Sequence, residues 1–193
     1  LHARIHPTGR DKGAKLVLDL LAYDVKSVKM NGSALKYERI DSLLTVQLPD
    51  KMAADTFTIR IEYGGKPADP SWFGGVYFSD TLVYNLGVQI EGHSHSHGKA
   101  WFPCRDIFDD KANFRYWITV PQGMAAVCNG SLKERKKLPD GRERFHWVLR
   151  DPISPYLASF AVGNYIEVKD SWKSQSGTIP ISIWVPPAYE SKT

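Results

Sequence analysis

The chain has 193 residues, 42% of them hydrophobic and 12% aromatic, a composition that can build a substantial core and argues against a disordered chain. Its 25 basic and 21 acidic residues give a net charge of +4. They are interspersed rather than gathered on a stripe, so nucleic-acid binding is not expected, and no run approaches the roughly 18 apolar residues of a membrane-spanning helix.

The opening Leu1-His2-Ala3-Arg4-Ile5 reads as the inside of a strand, so the chain is expected to be a fragment truncated at its start. From there the dominant period is two. Leu44, Val46 and Leu48 alternate in "LLTVQL", and Phe57, Ile59, Ile61 and Tyr63 in "TFTIRIEY". Phe114, Tyr116, Ile118 and Val120 follow in "FRYWITV", then Phe145, Trp147 and Leu149 in "FHWVL", then Ile179, Ile181, Ile183 and Val185 near the end. Each pattern predicts a half-buried antiparallel strand. "ASFAVGNYIEV" is more continuously apolar and predicts one central strand covered on both sides. Asn31-Gly32, Gly64-Gly65, Gly74-Gly75, Asn129-Gly130, Asp140-Gly141 and Ser176-Gly177 supply turns. The basic cluster Lys133 to Lys137 abuts Leu138-Pro139-Asp140-Gly141-Arg142 and reads as one side of a solvated hairpin tip. Helical turns are expected only at Asp151–Tyr156 and Ala188–Thr193. Many short strands with turns between them predict an all-β fold, an antiparallel β-sandwich or saddle-like domain spanning 1–193.

One stretch breaks the alternation. In "GHSHSHGKAWFPC", Gly92 and Gly98 bracket His93, His95 and His97, with Ser94 and Ser96 between them, which reads as a loop at a sheet edge. Imidazoles at i and i+2 can share a zinc ion. Only Glu91 lies near enough in sequence to add a ligand, and a second shell would also be required. No metal site is therefore expected, His93, His95 and His97 being the residues a metal would have to use. After the loop, Pro103 favours extended geometry at Phe102, and the Asp106 carboxylate is placed to accept backbone N–H groups of the following turn, "IFDDKANF". Cys104 and Cys128 form no C-x-x-C pair, and either a bridge or two buried thiols fits their spacing. No G-x-S-x-G, H-E-x-x-H or phosphate-binding glycine motif occurs. On its own chemistry the chain reads as non-catalytic.

The order of several motifs, "AWFPCRDIFDDKANFRYWITVP", "AAVCNG", "FHW", "PISPYLASFAVGNY" and "TIPISIWVPP", resembles the N-terminal domain of the zinc aminopeptidases related to aminopeptidase N and leukotriene hydrolase. Phe102-Pro103-Cys104, Asp106, Lys111-Ala112 and Phe114 match one family segment. Asn129-Gly130 match a second, and Tyr156-Leu157-Ala158 with Val162-Gly163 a third. The resemblance implies a non-catalytic all-β domain preceding a thermolysin-like catalytic domain, which would begin after about residue 187 and hold the zinc; this chain would hold no cofactor. It implies as partners that catalytic domain, in the same chain, and the free N-terminus of a peptide substrate. A periplasmic or secreted setting suits proteins of this type. It also assigns Gln89-Ile90-Glu91 to the family's Q-x-[QE] pattern, with Glu91 first and Gln89 second as groups facing the substrate ammonium, where a carboxylate gains a charge-assisted hydrogen bond; the alternative for Glu91 is a solvated loop carboxylate. Two other functions stay open. Trp72-Phe73, Trp101, Trp117, Trp172 and Trp184 would suit a β-sandwich module that binds carbohydrate or protein. A small metalloenzyme would use His93, His95 and His97.

Overall fold

The computed structural model describes residues 2–5, 15–49, 56–70, 74–88, 90 and 96–192. These residues fold as antiparallel strands with short 3-10 turns, as an all-β chain should. They gather into two compact units: Leu1–Val76, Leu86–Lys111 and Ile153–Leu157 form the first, and Tyr77–Asn85, Ala112–Pro152 and Ala158–Thr193 the second.

In the first unit, strands β1 (His2–Ile5), β3 (Asp24–Met30), β4 (Ser33–Ala34) and β7 (Phe57–Gly64) form a sheet in the order β1-β7-β3-β4. Strands β2 (Lys15–Asp19), β5 (Tyr37–Ile40) and β6 (Leu43–Gln47) form another, in the order β2-β6-β5. The two share one core, made by Leu18, Leu44 and Val46 from one sheet and Val28, Ile59 and Ile61 from the other. This is the sandwich that the alternation predicts, because period-two strands bury every second side chain against a facing sheet. Asn31 and Gly32 both take positive φ, 51° and 86°, the geometry that closes the two-residue hairpin between β3 and β4.

Strands β8 (Gly75–Phe78), β9 (Leu82–Leu86), β11 (Ala125–Cys128) and β14 (Phe160–Gly163) run in the order β11-β14-β9-β8 and lie in the second unit except for Gly75, Val76 and Leu86. Strands β10 (Ala112–Val120), β12 (Ser131–Lys137) and β13 (Glu143–Ile153) run in the order β10-β13-β12. Tyr116, Val120, Phe145 and Trp147 are buried as their alternation predicts, and the Trp147 indole donates to the Ala126 carbonyl at 2.9 Å. The basic cluster lies on β12, in the predicted hairpin with β13, where Arg135 pairs with the buried Glu143 at 2.5 Å. A final hairpin joins β15 (Ile166–Ser174) to β16 (Gly177–Val185).

Three expectations are corrected. "ASFAVGNYIEV" is not one strand. It divides into β14 and β15, which belong to different sheets, at a tight turn where Tyr165 N–H donates to the Gly163 carbonyl. Ile179, Ile181 and Ile183 do lie on a strand, but their face is exposed. Of the helical turn expected at Asp151–Tyr156, Asp151 to Ile153 complete β13 and only Pro155–Leu157 turn as 3-10; the other expected turn forms over Pro187–Lys192.

Candidate functional site

The segment that carries the histidines is flanked by a pair of described residues. Val88 and Ser96 form an antiparallel bridge, and His97 N–H donates to the Gly87 carbonyl at 2.8 Å. Residue 87 must be glycine, since a Cβ there would stand 1.9 Å from the Tyr156 carbonyl oxygen. A Cβ at residue 98 would be tight rather than forbidden, meeting the Pro155 carbonyl carbon at 3.0 Å and an Asp106 carboxylate oxygen at 3.1 Å. The loop base therefore sits pressed against the Pro155–Leu157 turn.

Asp106 fastens this base. Its carboxylate is buried and accepts from Gly98 N–H at 3.0 Å and, more weakly, from Lys99 N–H at 3.5 Å. Its carbonyl accepts from Ser96 Oγ at 2.7 Å, and its own N–H donates to the Asp19 carboxylate at 3.1 Å. The expected side-chain to backbone bond is thus present but points the other way along the chain, to the Gly98–Ala100 turn that precedes Asp106. That turn lies beside Asp106 because Cys104 is tied on both sides of its peptide to Asp19, at 2.7 and 3.1 Å. Asp19 is the residue sequence reasoning missed. Nothing local marks it, since its partners at the loop base, Cys104 and Asp106, are 85 and 87 positions away. Gly87 and Gly98 did carry a signal, as glycines outside any turn dipeptide.

Of the candidate site residues, Gln89, Glu91, His93 and His95 lie outside the described residues, as do Trp72 and Phe73. His97 is buried, and its Nδ1 has no hydrogen-bond partner among the described residues. Burial pushes its imidazole below the ordinary histidine range; Lys99 adds to this and Asp106 opposes it. The neutral ring is therefore favoured. Cys104 and Cys128 are free and buried. Burial raises both thiols, Cys128 to about 12 and Cys104 further still, with Asp106, Asp19 and Asp110 adding to the rise. Neither thiol is poised as a nucleophile or thiolate ligand. No group of three His, Cys, Asp or Glu side chains able to hold a metal occurs among the described residues, so their donor set does not fit a zinc ion.

Beside the loop base, Ile107, Phe108 and Leu157 form an exposed apolar rim. The Phe108 ring packs edge-on against Tyr156, with centroids 5.3 Å apart, and its carbonyl accepts the Ser154 hydroxyl. Two grooves lie elsewhere. One, of about 400 Å³, is lined by Tyr23, Asp24, Tyr37, Arg39 and Asp41. The other, of about 460 Å³, is lined by residues including Tyr84, Asn85, Asn129, Ser159 and Tyr165. Their polar groups already serve the fold: Arg39 donates to the carbonyls of Leu20, Tyr23 and Asp41. Asn85 bridges Ala158 and Phe160, and the Asn129 side-chain oxygen accepts from Tyr116 and Ser159. Neither groove is lined by a residue of the loop base. The exposed indoles among the described residues are Trp117, stacked on His146 at 4.4 Å, and Trp172.

The family described as the peptidase M1 N-terminal domain matches residues 13–157. A leucyl aminopeptidase of Saccharolobus solfataricus is 24% identical over 82% of this chain and 19% of its own length. A TFIID subunit 2 of Drosophila melanogaster, a transcription initiation factor, is 37% identical over 35% of this chain and 6% of its own. Among solved structures, a mutant M1 zinc metallopeptidase of Deinococcus radiodurans bound to a Tyr-Ser-Ala substrate superposes with a TM-score of 0.76 at 23% identity. It covers 90% of this chain, which spans 40% of that one. Legionella pneumophila aminopeptidase A in complex with aspartic acid gives a TM-score of 0.77 at 25% identity, over 93% of this chain and 21% of that one. The chain thus spans about a fifth of the length of the aminopeptidase relatives it matches.

Proposed function

The chain belongs to the peptidase M1 N-terminal domain family, and from that premise we propose that it is the non-catalytic N-terminal domain of a zinc-dependent aminopeptidase. It packs against a thermolysin-like catalytic domain carried further along the same chain, where the zinc is held. Glu91, with Gln89 second, lines the pocket for the free ammonium group of a peptide substrate. The family match through residue 157 carries this reading. The geometry around Asp106 supports it, because a rigidly fastened loop base is what a binding group on that loop requires. A carboxylate opposite an ammonium gives a charge-assisted hydrogen bond that a blocked N-terminus cannot make.

The test is steady-state kinetics of the whole protein on aminoacyl fluorogenic substrates. Glu91→Ala should raise KM and lower kcat/KM by roughly tenfold or more, the effect of losing about 1.5–3 kcal/mol in a hydrogen bond to a charged group. Unchanged constants would remove Glu91 from the pocket.

A second reading is a protein-binding module without peptidase activity, as the match to a transcription initiation factor subunit suggests. A whole protein that binds no zinc and hydrolyses no aminoacyl substrate would favour it.

A further inference from the structure

The β15–β16 hairpin has two unlike faces. Its register sets Val185, Ile183, Ile181 and Ile179 opposite Ile166, Val168, Asp170 and Trp172. Directly paired residues project to the same side, so one face consists of four isoleucines, two valines and a tryptophan, with Asp170 the one charge among them. The other face carries Glu167, Lys169, Ser171 and Lys173 with Thr178, Pro180, Ser182 and Trp184. Its polar groups engage one another: Ser182 Oγ donates to Glu167 at 2.8 Å, and Lys169 pairs with Glu167 at 3.5 Å. At its base Trp184 meets Trp147 edge-on, with centroids 6.2 Å apart. The apolar face is open: Trp172 is 59% exposed, Ile179 48%, and Ile181 and Ile183 38% each.

An isolated two-stranded hairpin is marginal in water, and a contiguous row of exposed large apolar side chains on one face marks an interaction surface more than singly scattered ones do. We propose that this face is a docking surface whose occupant is the catalytic domain carried further along the same chain; the proposal rests on the function proposed above. The face offers almost no charge to steer a transient polar partner, and apolar faces of this kind suit permanent contacts. Pro180 lacks an N–H and makes the β16 edge a poor template for another strand, which leaves the apolar face as the better surface for a cover. This chain covers 40% and 21% of the two solved relatives, so well over half of each of those chains lies outside the match and is long enough to form such a cover.

The test is hydrogen exchange of the whole protein, comparing Ile181→Lys on the apolar face with Ser171→Glu on the polar one. Each new charge suits the hairpin itself, and only the cover is disturbed. The ammonium introduced at position 181 would stand opposite Asp170, and the carboxylate introduced at position 171 would stand between Lys169 and Lys173. Ile181→Lys should speed exchange of the β15 and β16 amides at least tenfold, while Ser171→Glu changes it less than twofold and Ile181→Leu keeps the native rate. Equal effects from the two charges, or none from either, overturn the proposal. So does a concentration-dependent dimer that Ile181→Lys dissolves, which would give the face to a second copy. Aminopeptidase activity of the unmutated protein separates the two levels. An active protein whose exchange ignores Ile181→Lys rejects the docking surface alone, whereas an inactive one rejects the function and the proposed occupant together.

Discussion

The base of the histidine loop and the β15–β16 hairpin are both held by backbone pairing, yet they differ in what they leave unfinished. At the loop base the Asp106 carboxylate is buried and partnered, and Gly87 lets backbone approach backbone with no room for a Cβ, while Gly98 leaves a tight fit. That region is complete within its own unit. The hairpin completes its ladder of nine pairs but leaves Trp172, Ile179, Ile181 and Ile183 to water. A binding group needs a fixed platform. An apolar face needs a neighbour. The contrast sets the fastened loop base and the open apolar face in different parts of the chain.

The largest effect should come from unfastening the platform. Asp106→Ala leaves the N–H groups of Gly98 and Lys99 without their acceptor, and should lower stability in urea denaturation by about 3 kcal/mol. A loss near zero would mean the base is held by the Val88–Ser96 bridge alone. Gly87→Ala forces a Cβ into the Tyr156 carbonyl and should cost about 2 kcal/mol, the range for overpacking a close backbone contact.

In the second unit the Arg135 hydrogen bond holds the Glu143 carboxyl below its ordinary value of 4.5. The folded state therefore takes up that proton at lower pH than the unfolded chain. The stability this contributes is fully present above the unfolded value and is lost as pH falls through the lowered folded one. Denaturation midpoints between pH 5 and 3 should fall less steeply for Glu143→Gln than for the unmutated protein; parallel profiles would show that the ion pair, half exposed at Arg135, is screened away. The smallest effect belongs to the hairpin. Ile181→Thr on its open face should change the stability of the 193-residue chain by no more than about 0.5 kcal/mol, as exposed substitutions do. A loss of core size there would mean the face is already covered.

What could be read in the sequence follows from how local each cause is. The strands containing Ile59, Val46 and Phe145 were legible because burial against a facing sheet imposes a period of two on the chain itself. The Asn31-Gly32 hairpin was legible because its positive φ values demand those residue types. The exposed face of β16 was not, because alternation reports that a strand has an apolar side and not whether anything covers it. The break between β14 and β15 was hidden because apolar residues continue on both sides of Gly163-Asn164, and the sheet each half joins is set by partners elsewhere in the chain. Asp106 was recognised as a backbone acceptor, but its direction was set by Asp19 and Cys104, a contact across the chain that no local pattern encodes. The candidates Gln89 and Glu91 came from family resemblance alone.

The measurement that tests the central claim most directly is kcat/KM of the whole protein on a matched pair of peptides, one with a free N-terminus and one N-acetylated. An aminopeptidase whose N-terminal domain lines the ammonium pocket should cleave the first and discriminate against the second by at least a hundredfold, with Glu91→Ala narrowing the gap. Equal cleavage of the two peptides, or cleavage of neither, would contradict it.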